Sequence, residues 1–206
     1  LLSSVMGLGM DSAQSFYFFE QKEEGLDSQA RVVSAILQWR LIFGGVVVVF
    51  STAMSPWINS VFFNGQLGWE YFAVAFSGAL FGQVMSQSTD VFRLLYRPWP
   101  YIFITLGQSI VAAILILYFI LYFEQGLYGF FLGASVASLA AAVLGWVLIR
   151  EYIDFSRIHT GWWKRLVRFG TPLVPAALGM YLMNTTDRWF IQKYHGAEEL
   201  GVYAVG

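Results

Sequence analysis

The chain has 206 residues, of which 57% are hydrophobic, 18% aromatic and 12% charged, with 12 Lys and Arg against 13 Asp and Glu and no cysteine. A soluble domain carries about 25% charged residues, so half the usual charge is missing and too little remains to coat a water-soluble globule. The composition excludes a disordered chain and a disulfide scaffold. A net charge of −1 also excludes a nucleic-acid module, because no excess base is left to neutralise phosphates.

An integral membrane protein remains. Hydrocarbon cannot hydrogen-bond backbone groups, so spanning segments are helices or closed barrels, and a helix needs about 20 mostly apolar residues. The apolar runs are long and do not alternate, which predicts an all-α polytopic transmembrane bundle. In chain order, Leu1 to Phe19 reads as a span cut short at its start. Complete spans follow over Val32 to Met54, Trp69 to Thr89, Pro100 to Phe123, Gly126 to Ile149 and Pro172 to Tyr194, and Leu200 to Gly206 begins another. A chain that opens on Leu1 and stops at Gly206 within an apolar run is expected to be a piece of a longer protein.

Lys and Arg alternate between connections. Lys22 and Arg31 follow the first span, none lies in Ser55 to Gly68, Arg93 and Arg97 close the third span, and none lies at Glu124 and Gln125. Arg150, Arg157, Lys164, Arg165 and Arg168 then crowd one connection. Cytoplasmic loops carry the excess of base, so Lys22, Arg97 and Lys164 are assigned to the cytoplasmic side of a bacterial inner membrane. Lys193 alone runs against the pattern.

Segment 154–171 is long and mixed. Trp162, Leu166 and Phe169 share one helical face, while Lys164, Arg165 and Arg168 lie elsewhere. Such a helix lies in the interface and is drawn to anionic lipid, either as a tether between two lobes or as a basic loop obeying the charge rule. Thr171 is expected as N-cap and Pro172 as first residue of the next span. The chain thus divides into an N-terminal lobe (1–153), an amphipathic linker (154–171) and the start of a C-terminal lobe (172–206).

Close backbone approach through small residues holds helices together in a bilayer. Gly129, Gly133, Ala137, Ala141 and Gly145 recur every fourth residue, and Gly78 with Gly82 form a second pair. They serve either tight packing or the sliding of lobes.

Polar side chains at membrane depth are costly and mark a cavity or pathway by default. Ser4, Gly7, Asp11 and Gln14 form one stripe of the first span, with Asp11 roughly 13 Å of helix rise from Glu20. Arg40 stands inside the second span, where its stem either snorkels or presents the guanidinium to a cavity. Gln83, Gln87 and Asp90 descend one side of the third span, and Asp90 is spaced to pair with Arg93. Asn184 and Asp187 share a face of the last complete span, where Asp187 makes either an interfacial ion pair or a substrate or ion contact. The two histidines, His159 and His195, sit in separate connections, and no nucleotide-binding glycine loop occurs. No catalytic set, metal site or cofactor is expected, and the spread of polar residues suits a transport cavity better than an active site.

Two stretches resemble a known family. Residues 7–20, GLGMDSAQSFYFFE, are similar to the end of the second helix of bacterial polysaccharide-export flippases, the Wzx-type members of the MOP transporter superfamily. Residues 166–206 resemble the basic linker, seventh helix and start of the eighth, through Arg168-Phe169-Gly170 with Pro172, Leu173 and Pro175, Asp187-Arg188 before an aromatic, and Leu200-Gly201 with Tyr203.

The resemblance implies a MOP-type fold of 12 to 14 helices in two lobes. This chain would carry the second helix through the start of the eighth, about six spans plus the beginning of another. It implies a flippase for a lipid-linked oligosaccharide, an undecaprenyl-pyrophosphate-linked O-antigen or exopolysaccharide unit, working by alternating access. Arg40, Arg93 and Arg97 are then candidates to meet the pyrophosphate. Asp11, Gln14, Gln83, Gln87, Asn184 and Asp187 are candidates for sugar or coupling-ion contacts, the ion being a proton or sodium. Expected partners are the bilayer, the polyprenyl-pyrophosphate oligosaccharide and the polysaccharide-assembly machinery. Rival readings are another MOP-type exporter, of drug-like cations or lipid II, and a membrane glycosyl- or acyltransferase of the same pathway.

Overall fold

A computed structural model of the chain describes residue 7 and residues 9–63, 65–155 and 158–205, without the side chains at positions 181, 184, 192, 195, 197, 198, 200, 202, 204 and 205. The expected contributions of Ser4 and of the Asn184 side chain lie outside the described residues.

The described residues form α1 (Met10–Glu20), α2 (Leu26–Ala53), α3 (Ser55–Phe62), α4 (Trp69–Leu94), α5 (Pro98–Leu121) and α6 (Gly126–Leu148). A 3-10 turn follows over Arg150–Tyr152, then α7 (Thr160–Gly170), a second turn over Thr171–Leu173, and α8 (Val174–Val205). The bundle is all-α, as the composition predicts. Four stretches are long and apolar enough to cross a membrane: α2, α5, α6 and Thr160–Ile191. The last of these includes α7. Helix α4 has the length, 26 residues, but Gln83, Gln87, Ser88, Thr89, Asp90 and Arg93 make its second half too polar to qualify alone.

Local chemistry sets the boundaries. Pro56 and Pro98 open α3 and α5 at positions where a missing N–H costs nothing. Helix α3 lies within the connection Ser55 to Gly68, which carries no Lys or Arg. Helix α4 ends with Tyr96 in the left-handed region at φ 54° and with the Arg97 N–H bonded to the Phe92 carbonyl at 2.9 Å, the six-to-one closure of a Schellman cap. Gly196, at φ 89° and ψ 180°, breaks the helical run of α8, consistent with the expected division between the last complete span and the next.

Helix α6 lies between α4 and α5. Its small face does the packing: Gly129, Gly133, Ala137, Ala141 and Gly145 are all buried. A Cβ on Gly133 would sit 2.7 Å from the Ile116 backbone nitrogen of α5, and one on Gly145 would sit 2.6 Å from the Ser88 Cβ of α4. The second pair is only half real, because Gly78 abuts Ser135 whereas Gly82 has nothing within 4 Å. Helix α5 turns almost all its apolar surface outward, Phe103, Leu106, Ile110, Ile114 and Leu117 among it. Such a surface requires lipid as its solvent. The chain is a multi-pass membrane protein.

Helix α7, expected as an interfacial helix, packs its apolar face on the bundle. Leu166 is completely buried in a cluster with Met10, Ala13, Val32, Ala35 and Ile36, and Trp162, Trp163 and Phe169 pack around it. Its apolar face is thus spent on α1 and α2 rather than on lipid. Polar bonds seal the approach: the Asp154 N–H donates to Ser34 Oγ (2.6 Å), the His159 N–H to Gln38 Oε1 (3.0 Å) and the Trp163 indole to the Ala35 carbonyl (3.1 Å). Ser34, Ala35 and Gln38 occupy one face of α2 at helical spacing.

Thr171 is not an N-cap. Its hydroxyl donates back to the Val167 carbonyl at 2.7 Å, and the backbone of Gly170, Thr171 and Val174 stays right-handed helical. The chain therefore passes from α7 towards α8 without leaving helical geometry, so no forward cap is needed.

Candidate functional site

Asp11 sits in the first turn of α1, where a carboxylate is favoured by the unpaired N–H groups. Gly9 caps that helix in the left-handed conformation at φ 68°. Opposite, Arg40 of α2 is 1% exposed, and its guanidinium forms an ion pair with Asp11 and donates to the Gln83 backbone carbonyl of α4. One cation thus ties three helices together. Arg40 neither snorkels to an interface nor opens into a cavity: its two terminal nitrogens are matched by a charge and an acceptor, while Nε is buried without a partner.

The Asp11 side chain is 52% exposed. It opens onto a cavity of about 430 Å³ lined by Gly7, Gly9, Asp11, Ser12 and Gln83 on one side and by Leu173, Ala176, Ala177 and Met180 on the other. The cavity therefore lies between α1, α4 and the beginning of α8. Small residues keep it open, and Asp11 is the one charged group among its described lining residues. Asp90 stands within the field of both Asp11 and Arg40 and pairs with Arg93 at 3.2 Å, as the three-residue spacing predicts. Two acids and two bases thus meet here.

Of the other candidates, Gln83 lines the cavity but Gln87 does not. Four residues advance a helix by about 400°, so Gln87 is turned about 40° from Gln83, enough to aim it at α2. It is buried and donates to the Val33 carbonyl at 2.8 Å. Gln14 is likewise completely buried, with a long 3.4 Å contact to the Gln87 carbonyl. Both amides stitch helices together instead of facing a substrate. Arg93 and Arg97 line a different cavity of about 350 Å³, with Phe92, Tyr96, Pro98 and Tyr101. Asp187 is exposed on α8 and is not among the residues lining the central cavity; among the described residues it makes no ion pair.

Sequence reasoning missed Gly9, Ala176 and Ala177. The signal was present as small residues flanking Asp11 and following Pro172, but which small residues face a void depends on how α8 sits on α1. Among the described residues no group of His, Cys, Asp or Glu is placed to hold a metal ion.

A polar cluster at membrane depth, beside a cavity bounded by helices from both ends of the chain, marks a candidate pathway by default. The family model described as "Polysaccharide biosynthesis protein" matches residues 1–206. The chain belongs to this family. Its match covers the middle helices as well as the two stretches that carried the resemblance to Wzx-type flippases, and it makes the chain a membrane transport protein of polysaccharide biosynthesis. No curated protein and no solved structure matches.

Proposed function

We propose that this polysaccharide biosynthesis family member moves a lipid-linked oligosaccharide across the bacterial inner membrane by alternating access and is not an enzyme. The observation that carries the reading is the Asp11–Arg40 pair beside the cavity between α1, α4 and α8. Arg40 is engaged by Asp11 and the Gln83 carbonyl, so its guanidinium is not free to grip the cargo. Asp11, aided by Gln83, accepts hydrogen bonds from sugar hydroxyls, while a pyrophosphate would be repelled by it. Arg93 and Arg97, at the end of the bundle shared with Lys22 and Lys164, are the groups that meet the anionic head, guanidinium being matched to phosphate. That end faces the cytoplasm by the charge rule.

The test is complementation of a strain lacking its own flippase, read as surface polysaccharide. The full-length protein restores it, and variants Asp11→Ala and Arg93→Ala/Arg97→Ala do not at equal expression. Restoration by both variants would overturn the site assignment, and failure of the unmutated protein with its cognate sugar pathway present would overturn the reading.

One observation favours a second reading, export of a lipophilic cation: the only charge on the described cavity wall is negative. Raised tolerance to cationic dyes, abolished by Asp11→Asn, in a strain whose surface polysaccharide is unchanged would select it.

A further inference from the structure

With its apolar face docked on α1 and α2, helix α7 leaves Lys164, Arg165 and Arg168 exposed. Arg165 and Arg168 line a cleft of about 510 Å³ with Tyr17, Glu20 and Phe169. Among the described residues neither arginine makes an ion pair, and Arg165 leans its guanidinium over the Trp162 ring at 5.3 Å. The wall beside them is aromatic: Phe16, 52% exposed, stacks on Phe169 at 5.0 Å. Two cations and one carboxylate give the cleft a net charge of +1, next to exposed rings that favour acyl chains. A soluble anion would gain nothing from those rings.

We propose that this cleft between α1 and α7 binds the headgroup of an anionic phospholipid, phosphatidylglycerol in its chemistry. The phosphate lies between Arg165 and Arg168, a glycerol hydroxyl donates to Glu20, and the acyl chains run along Phe16 and Phe169. Basic pockets between membrane helices hold anionic headgroups in this way. The site is separate from the central cavity, so it stands or falls independently of the transport reading.

The experiment takes the full-length protein in nanodiscs with phosphatidylglycerol against phosphatidylcholine and reads retained lipid by native mass spectrometry. Each basic side chain near a membrane surface contributes about fivefold, so the unmutated protein retains phosphatidylglycerol in excess and Arg165→Gln/Arg168→Gln loses about thirtyfold of that preference. Both arginines are exposed, so the variant keeps its helicity and its melting temperature. A measurement needing no variant runs beside it: phosphatidylglycerol slows amide exchange over residues 160–170 relative to phosphatidylcholine. Equal retention of the two lipids, an unchanged preference in the double variant, or displacement of phosphatidylglycerol by equimolar polyprenyl phosphate would overturn the proposal.

Discussion

Gly9 and Gly170 meet backbone to backbone: a Cβ added to Gly9 would lie 2.7 Å from the Gly170 carbonyl oxygen. This contact seats the end of α7 on the start of α1. Gly9 also has φ 68°, so alanine there carries the roughly 1–2 kcal/mol cost of left-handed geometry and a clash with rigid backbone besides. Gly25, at φ 95° and ψ 179° with nothing within 4 Å, lies in a region essentially closed to other residues, so Gly25→Ala should cost about 1–3 kcal/mol with no clash. Gly82→Ala should be neutral or gain up to about 1 kcal/mol in its helix. Thermal unfolding of the three purified variants checks these values; a Gly9→Ala loss no larger than the roughly 1–2 kcal/mol of left-handed geometry would mean the contact is slack.

Removing one member of the Asp11–Arg40 pair should be asymmetric. Asp11→Ala strands a guanidinium that is 1% exposed, a loss of about 3–5 kcal/mol. Arg40→Met keeps the buried stem and leaves a half-exposed carboxylate that water can reach, so it costs less. The double variant should recover part of the sum, because the two changes share one interaction. A double-mutant cycle by thermal or denaturant unfolding measures the coupling, and additive effects would contradict the pairing.

The strap from 154 to α7 should loosen when its anchors on α2 are removed. Ser34→Ala orphans the Asp154 N–H at a cost of about 1–3 kcal/mol, and Leu166→Ala opens a cavity costing about 2–5 kcal/mol. Both should speed amide exchange across residues 158–170 while leaving α5 and α6 unchanged. Uniform acceleration through the bundle would show that the strap has no separate stability.

Tyr96 is 82% exposed at φ 54°, so it pays for a left-handed position without burying its ring. Tyr96→Gly should stabilise the α4 terminus by about 1 kcal/mol, whereas Tyr96→Ala should gain nothing. Comparing the two melting temperatures isolates the backbone contribution.

Helix existence and the small face of α6 were legible in the sequence, because apolar length and a four-residue repeat are local signals. The fate of Arg40 was not: snorkelling and pairing differ only in whether Asp11 arrives from another helix. Gln83 and Gln87 read alike along one stripe, and a turn of about 40° separates a cavity wall from a packing contact. Gly82 looked like Gly78 but faces no neighbour. The apolar stripe of α7 was visible, yet the stripe is the same whether lipid or protein covers it. Thr171 before Pro172 carried a strong capping signature, and it was overridden because the helical path continues through Gly170.

The polarity of α4 has a consequence for how the protein is made. A segment with an acid, a base and two glutamines in its second half would be rejected by the bilayer if offered alone. Its polar groups are matched by α2, through Arg40 and Val33, and its close-packed face by α6, through Gly145 and Ser135. Helix α2 precedes α4 in the chain, so the partner that matches these polar groups is already made when α4 emerges, and α4 is expected to enter lipid together with α2 and not alone.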